Sequence, residues 1–110
     1  NIVNREFIRD EADFPSVKCM EAGLDFLARN ADADNWLLQI ETFDPHEPFT
    51  APPRFRDAFP TDWKGPIRDW PRYGRVDELP EECEELRANY YAVVALCDHL
   101  LGQLLDDFDR

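Results

Sequence analysis

The best chemical candidate in this chain is a histidine two residues after an aspartate, within Asp44-Pro45-His46-Glu47-Pro48-Phe49. An imidazole transfers a proton near neutral pH, donates a hydrogen bond to a developing anion, or ligates a metal. Asp44 either supplies an acid beside it or closes the turn as a side-chain acceptor. For His46 two readings also stand, a functional group or a cap, because prolines at 45 and 48 make a strong turn by themselves. Glu41 and Glu47 are the nearest further carboxylates, although strand alternation need not aim Glu41 at the side that His46 occupies.

Other polar groups give weaker patterns. Asp98 and His99 are adjacent in a helical stretch, so they point in different directions and form no local metal pair. Arg54, Arg56, Lys64, Arg68, Arg72 and Arg75 are able to meet an anion, but scattered cations are commonly solvated. Cys19, Cys83 and Cys97 are odd in number and widely spaced, which gives no disulfide framework. Cys97 lies in an apolar helical pattern and reads as a small core residue. Neither Cys19 nor Cys83 has a neighbouring base that would activate a thiol. There is no Gly-rich phosphate loop, no GxSxG elbow and no HExxH pair.

With 24 acidic against 12 basic residues the net charge is -12, a field that repels a phosphate backbone. Nucleic acid is therefore not an expected partner. No apolar run is long enough to span a membrane. The length of 110 residues suits one modest core, and a soluble protein of this composition is compatible with the cytoplasm or with export.

The elements that must position His46 follow from periodicity. Val17, Met20, Leu24 and Leu27 recur at spacings of three and four and predict a helix over residues 14–30, with Pro15 tolerated at its start. Leu37, Leu38, Ile40 and Phe43 predict a strand over 36–43, buried on both faces, with His46 just beyond its end. Prolines at 45, 48, 52, 53, 60, 66, 71 and 80, interleaved with large aromatic residues, predict a folded irregular excursion over 44–80, with a small helix possible around 53–59. Leu86, Tyr90, Val93, Val94, Cys97, Leu100, Leu101, Leu104 and Phe108 predict a long helix over 81–107, its first turn carrying Glu81, Glu82, Glu84 and Glu85 as a solvated acidic start. Gly102 reads as a place of close approach. The expected fold class is α/β, with a central strand, a long irregular excursion and a C-terminal helix.

The stretches Trp36-Leu37-Leu38-Gln39-Ile40-Glu41-Thr42-Phe43-Asp44-Pro45-His46-Glu47-Pro48-Phe49 and Tyr90-Tyr91-Ala92-Val93-Val94-Ala95-Leu96-Cys97-Asp98-His99-Leu100-Leu101-Gly102 resemble an internal segment of the sulfatase family, within the alkaline-phosphatase-like α/β superfamily. The resemblance implies that residues 1–110 are part of a sulfatase catalytic domain. It implies hydrolysis of sulfate monoesters by a formylglycine, made from Cys or Ser in a C/S-x-P-x-R signature, together with a divalent cation, commonly calcium. His46 then looks like the family histidine that binds sulfate or protonates the leaving group, Asp44 shapes the turn, and Asp98 and Gly102 orient the helix. Cys19 is followed by Met20-Glu21-Ala22-Gly23 and does not match the signature, and the acidic metal cluster is missing. The expectation is a fragment that binds no cofactor of its own, is inactive in isolation, and relies on the remaining parts of the sulfatase domain. A phosphonate or phosphate monoester hydrolase and a noncatalytic interaction module are the competing readings.

Overall fold

A computed structural model describes residues 5–109, so the first four residues of the expected N-terminal connector and Arg110 lie outside the described residues. Among the described residues, helices α1 (Pro15–Arg29), α2 (Pro53–Arg56) and α3 (Pro80–Phe108) follow a 3-10 turn at Glu11–Asp13. Among the described residues there is no strand, and the expected α/β fold with a central strand at 36–43 is corrected accordingly. The chain divides into two compact units, one of residues 1–43 and 99–110 and the other Asp44–Asp98, with α3 contributing to each.

In the first unit, Pro15 opens α1, where a missing N–H costs nothing. Asp13 holds the approach to it by accepting from the Arg9 amide at 3.1 Å and pairing with Lys18 at 3.1 Å. At the other end the Asn30 side chain donates to the Phe26 carbonyl at 2.8 Å, satisfying one of the orphan carbonyls of the last turn. Val17, Met20 and Leu27 are buried along one face, with Phe14 just before them.

Residues 36–41 run back along this helix. The Trp36 ring meets Phe26 edge-on at 5.5 Å, Ile40 occupies the space where a side chain on Gly23 would sit, and the Cys19 thiol donates to the Glu41 carbonyl at 3.2 Å. Burial alternates with a period of two: Leu38, Ile40 and Thr42 are half-buried, whereas Leu37 is 92 % exposed and Phe43 70 % exposed. The alternation has the strand period, but only one face is covered, and it is covered by a helix. A strand exists only through a ladder with a partner, and no second such segment is present among the described residues.

In the second unit the Pro-rich segment is bonded side chain by side chain to α3. Arg56 donates from Nε to Asn89 at 2.6 Å and from a terminal nitrogen to Glu85 at 2.7 Å, and it also reaches the Phe59 carbonyl. Asn89 in turn donates to the Arg68 carbonyl at 2.8 Å, and Thr61 donates to Glu85. Glu82, in the first turn of α3, accepts from the Leu79 amide at 3.0 Å, as a capping glutamate does, and pairs with Arg68. The start of the helix is therefore not the uniformly solvated acidic stretch that composition suggests: Glu82 in the first turn is half-buried, and Glu85 in the second is buried.

The buried face of α3 in this unit is Glu85, Ala88, Ala92, Val93 and Leu96, the last two fully enclosed together with Pro52. Tyr90 and Val94, part of the expected apolar stripe, are exposed. Periodicity favours bulky residues, whereas burial follows the face that the Pro-rich segment covers, and on that face two positions are alanine. Gly102 has open space where a side chain would point, so no close approach requires it.

Candidate functional site

The turn that carries His46 belongs to the second unit and is held at both ends of its sequence neighbourhood. The Phe49 amide donates to the Asp69 carbonyl at 2.7 Å, and the Phe49 ring packs edge-on to Tyr90 of α3 at 5.2 Å. On the other side, Asp44 is half-buried and its charge reaches Cys97 of α3. Burial pushes the Cys97 thiol up, and the Asp44 carboxylate adds to the effect, so Cys97 stays a protonated thiol and not a nucleophile. The Asp44-Pro45 and Glu47-Pro48 peptide bonds are both cis.

Within the turn, His46 Nδ1 lies 3.0 Å from the Glu47 carbonyl oxygen and 3.1 Å from Glu47 Oε2. Both neighbours are acceptors. A bare ring nitrogen would face their lone pairs with its own, so Nδ1 carries the hydrogen and donates. The His46 side chain is 49 % exposed, whereas Glu47 as a residue is only 7 % exposed. Glu47 Oε1 is buried with no hydrogen-bond partner among the described residues. Leaving such an oxygen unsatisfied costs about 1–3 kcal/mol, more when it is charged.

The sequence offered Glu41 and Glu47 as further carboxylates, with alternation counting against Glu41, and the structure brings Glu47 to the ring. Glu41 belongs to the other unit, where its carbonyl accepts from Cys19. His99 also belongs to that unit, while Asp98 is exposed at the end of the second. The one signal for the His46–Glu47 pair was adjacency; the burial of Glu47 has no counterpart in local sequence.

Three of the six cations that could meet an anion are engaged with carboxylates. Arg56 pairs with Glu85, Arg68 with Glu82 and Arg72 with Asp77, and the Arg54 guanidinium sits over the Phe55 ring at 3.9 Å. For Glu85, burial acts to raise the carboxyl, but hydrogen bonds from Thr61, Arg56 and Asn89 outweigh it and hold the group below the usual range. Sequence reasoning missed this brace because its members are separated by up to 33 residues.

A hollow of about 500 Å³ is bordered by Phe59, Thr61, Glu84, Arg87 and Tyr91, and another of about 310 Å³ by Arg68, Trp70, Arg72, Glu78 and Glu82. Neither is lined by His46 or Asp44. Among the described residues no group of three His, Cys, Asp or Glu side chains is placed to hold a metal ion. No helix there is long and apolar enough to cross a membrane.

Comparison with curated proteins and with solved structures finds no match. A family model does match, and its span of residues 10–110 takes in the His46 turn, the Pro-rich segment and the whole of α3. Its description is Sulfatase, and a match over nearly the entire chain means that this protein belongs to the sulfatase family.

Proposed function

We propose that this chain forms part of a domain that hydrolyses sulfate monoesters, with His46 on the substrate side of the site. The observation that carries the reading is a half-exposed imidazole anchored through Nδ1 inside the span of the sulfatase match. A ring anchored in this way works through Nε2. When the ring is protonated, Nε2–H donates to a sulfate oxygen or gives its proton to the departing alkoxide; when neutral, Nε2 accepts. Asp44 supports the turn beside the substrate.

The family resemblance implies a formylglycine and a divalent cation, and the residues present here do not fit either group. None of Cys19, Cys83 and Cys97 stands in the C/S-x-P-x-R pattern, and the described residues offer no three-ligand cluster. Both groups then come from other parts of a longer protein. On this reading residues 1–110 alone release no sulfate.

The test compares matched sulfate and phosphate monoesters on the full-length protein, with peptide mass analysis for formylglycine. Faster release of sulfate, with the modification present, is the expected result. A preference for the phosphate ester would move the assignment to a phosphomonoester or phosphonate hydrolase. Turnover of neither would make the chain a noncatalytic interaction module.

A further inference from the structure

We propose that Glu47 is the positioning residue for His46, a buried carboxylate that fixes the ring tautomer and turns Nε2 toward the reacting group. This rests on the functional reading of His46 given above.

Three observations converge on it. Glu47 Oε2 is 3.1 Å from His46 Nδ1, a hydrogen-bond distance. Glu47 is buried while the ring it touches is half exposed, so the carboxylate is fixed within the fold and holds the imidazole from the buried side. Its other oxygen, Oε1, is buried without a hydrogen-bond partner among the described residues. A carboxylate is an expensive way to fill such a position, because an apolar side chain of similar size would leave no oxygen unsatisfied. What the carboxylate provides and an apolar side chain lacks is a charged oxygen 3.1 Å from Nδ1.

The chemical consequence follows from proton counting. The Glu47 carbonyl alone would bias the ring toward Nδ1–H, but a neutral carbonyl is a weaker acceptor than an ionised carboxylate. With both oxygens on Nδ1, the neutral ring keeps its hydrogen there and its lone pair on Nε2. On protonation the second hydrogen goes to Nε2 and the Nδ1 contact becomes an ion pair. The proton that His46 exchanges is thereby confined to one nitrogen. Carboxylates play the same orienting part behind imidazoles in metal and proton-transfer sites.

The experiment uses the full-length protein labelled with ¹⁵N in its histidines, the His46 signals being those that His46→Ala removes; residues 1–110 hold two histidines, His46 and His99. Ring nitrogen shifts give the ratio of Nδ1–H to Nε2–H in the neutral ring for the wild type and for Glu47→Leu, Glu47→Asp and Glu47→Gln. The wild-type ring should be mainly Nδ1–H. Glu47→Leu, which removes the acceptor while filling the buried space, should lower the ratio by about fivefold or more. Glu47→Asp retracts the oxygen by one methylene and should also lower it, which keeps the test decisive should the Leu variant fail to fold. Glu47→Gln retains an acceptor oxygen and should restore most of the bias. A ratio unchanged in a folded Glu47→Leu or Glu47→Asp protein would overturn the proposal. Failure of the functional reading looks different: the tautomer would respond to Glu47 as described while His46→Ala left sulfate release by the full-length protein unchanged.

Discussion

Residues 36–43 and residues 44–70 reverse the roles that their compositions suggest. The first is the most apolar run before α3, yet Leu37 and Phe43 stay open to solvent and only alternate side chains rest on α1. The second is broken by prolines and rich in charge, yet Pro52 and Phe55 are buried and Arg56 joins four separate partners, Asn89, Glu85, Thr61 and the Phe59 carbonyl. Apolar composition supplies a driving force for burial but not a surface to be buried against. A segment without regular hydrogen bonding is ordered when its side chains find specific partners on a helix, as Arg56 and Thr61 do on α3.

Substitutions that probe the two segments should separate them. Leu96→Ala removes a fully enclosed side chain from the face of α3 in the second unit and should cost about 2–5 kcal/mol in chemical denaturation. Leu37→Ala, at a side chain nearly as exposed as in an unfolded chain, should change stability by no more than about 0.5 kcal/mol. Equal effects would mean that 36–43 is buried as deeply as the α3 face and would dissolve the contrast. Arg56→Ala should follow at about 2–3 kcal/mol, since it strips the Glu85 carboxylate of its cation and frees Asn89 of one bond. A loss under about 0.5 kcal/mol would show that the Pro-rich segment is held by packing alone.

Acid sharpens the same point. The folded-state carboxyl of Glu85 lies below its ordinary value of 4.5, so the unfolded chain binds a proton that the folded chain does not. Its contribution is complete above about pH 4.5 and is lost as the pH falls through the lower folded value. Asp13, held low chiefly by the Arg9 amide and then by Lys18, adds a loss of the same sign. Glu85→Gln should therefore flatten the acid limb of a stability-against-pH curve and leave a residual slope. An acid limb as steep as that of the wild type would contradict the role given to Glu85.

The smallest effects concern glycine. Gly23→Ala forces its new methyl onto Ile40, and the gain in helix propensity is offset by displacing that side chain, for a net loss of about 1 kcal/mol. Gly102→Ala meets open space in a helix interior and should stabilise by roughly 0.5–1 kcal/mol. If Gly23→Ala also stabilised, the 36–41 segment would not rest on α1 in solution.

The helical stretches were legible because their cause is local. Spacings of three and four mark Val17, Met20 and Leu27, and Pro80 with its following glutamates marks the start of α3. The error at 36–43 has an equally definite cause. Apolar residues at 37, 38, 40 and 43 suggest burial on both faces, whereas only alternate side chains are covered; whether such a segment pairs in a sheet or lies on a helix depends on what else is present, and no pattern within eight residues encodes that. His46 stood out through its residue type and its turn, whereas the burial of Glu47 depends on the way the chain folds around it. The Arg56–Glu85–Asn89 brace was invisible for a related reason: each member is an ordinary surface residue until the Pro-rich segment returns to α3.

The most direct measurement is sulfate release by the full-length protein carrying His46→Ala. The account predicts a fall in kcat of about a hundredfold or more, the scale of a lost proton-transfer group, with the fold unchanged. A kcat within about twofold of the wild type would place His46 outside the chemistry and leave its turn a structural one.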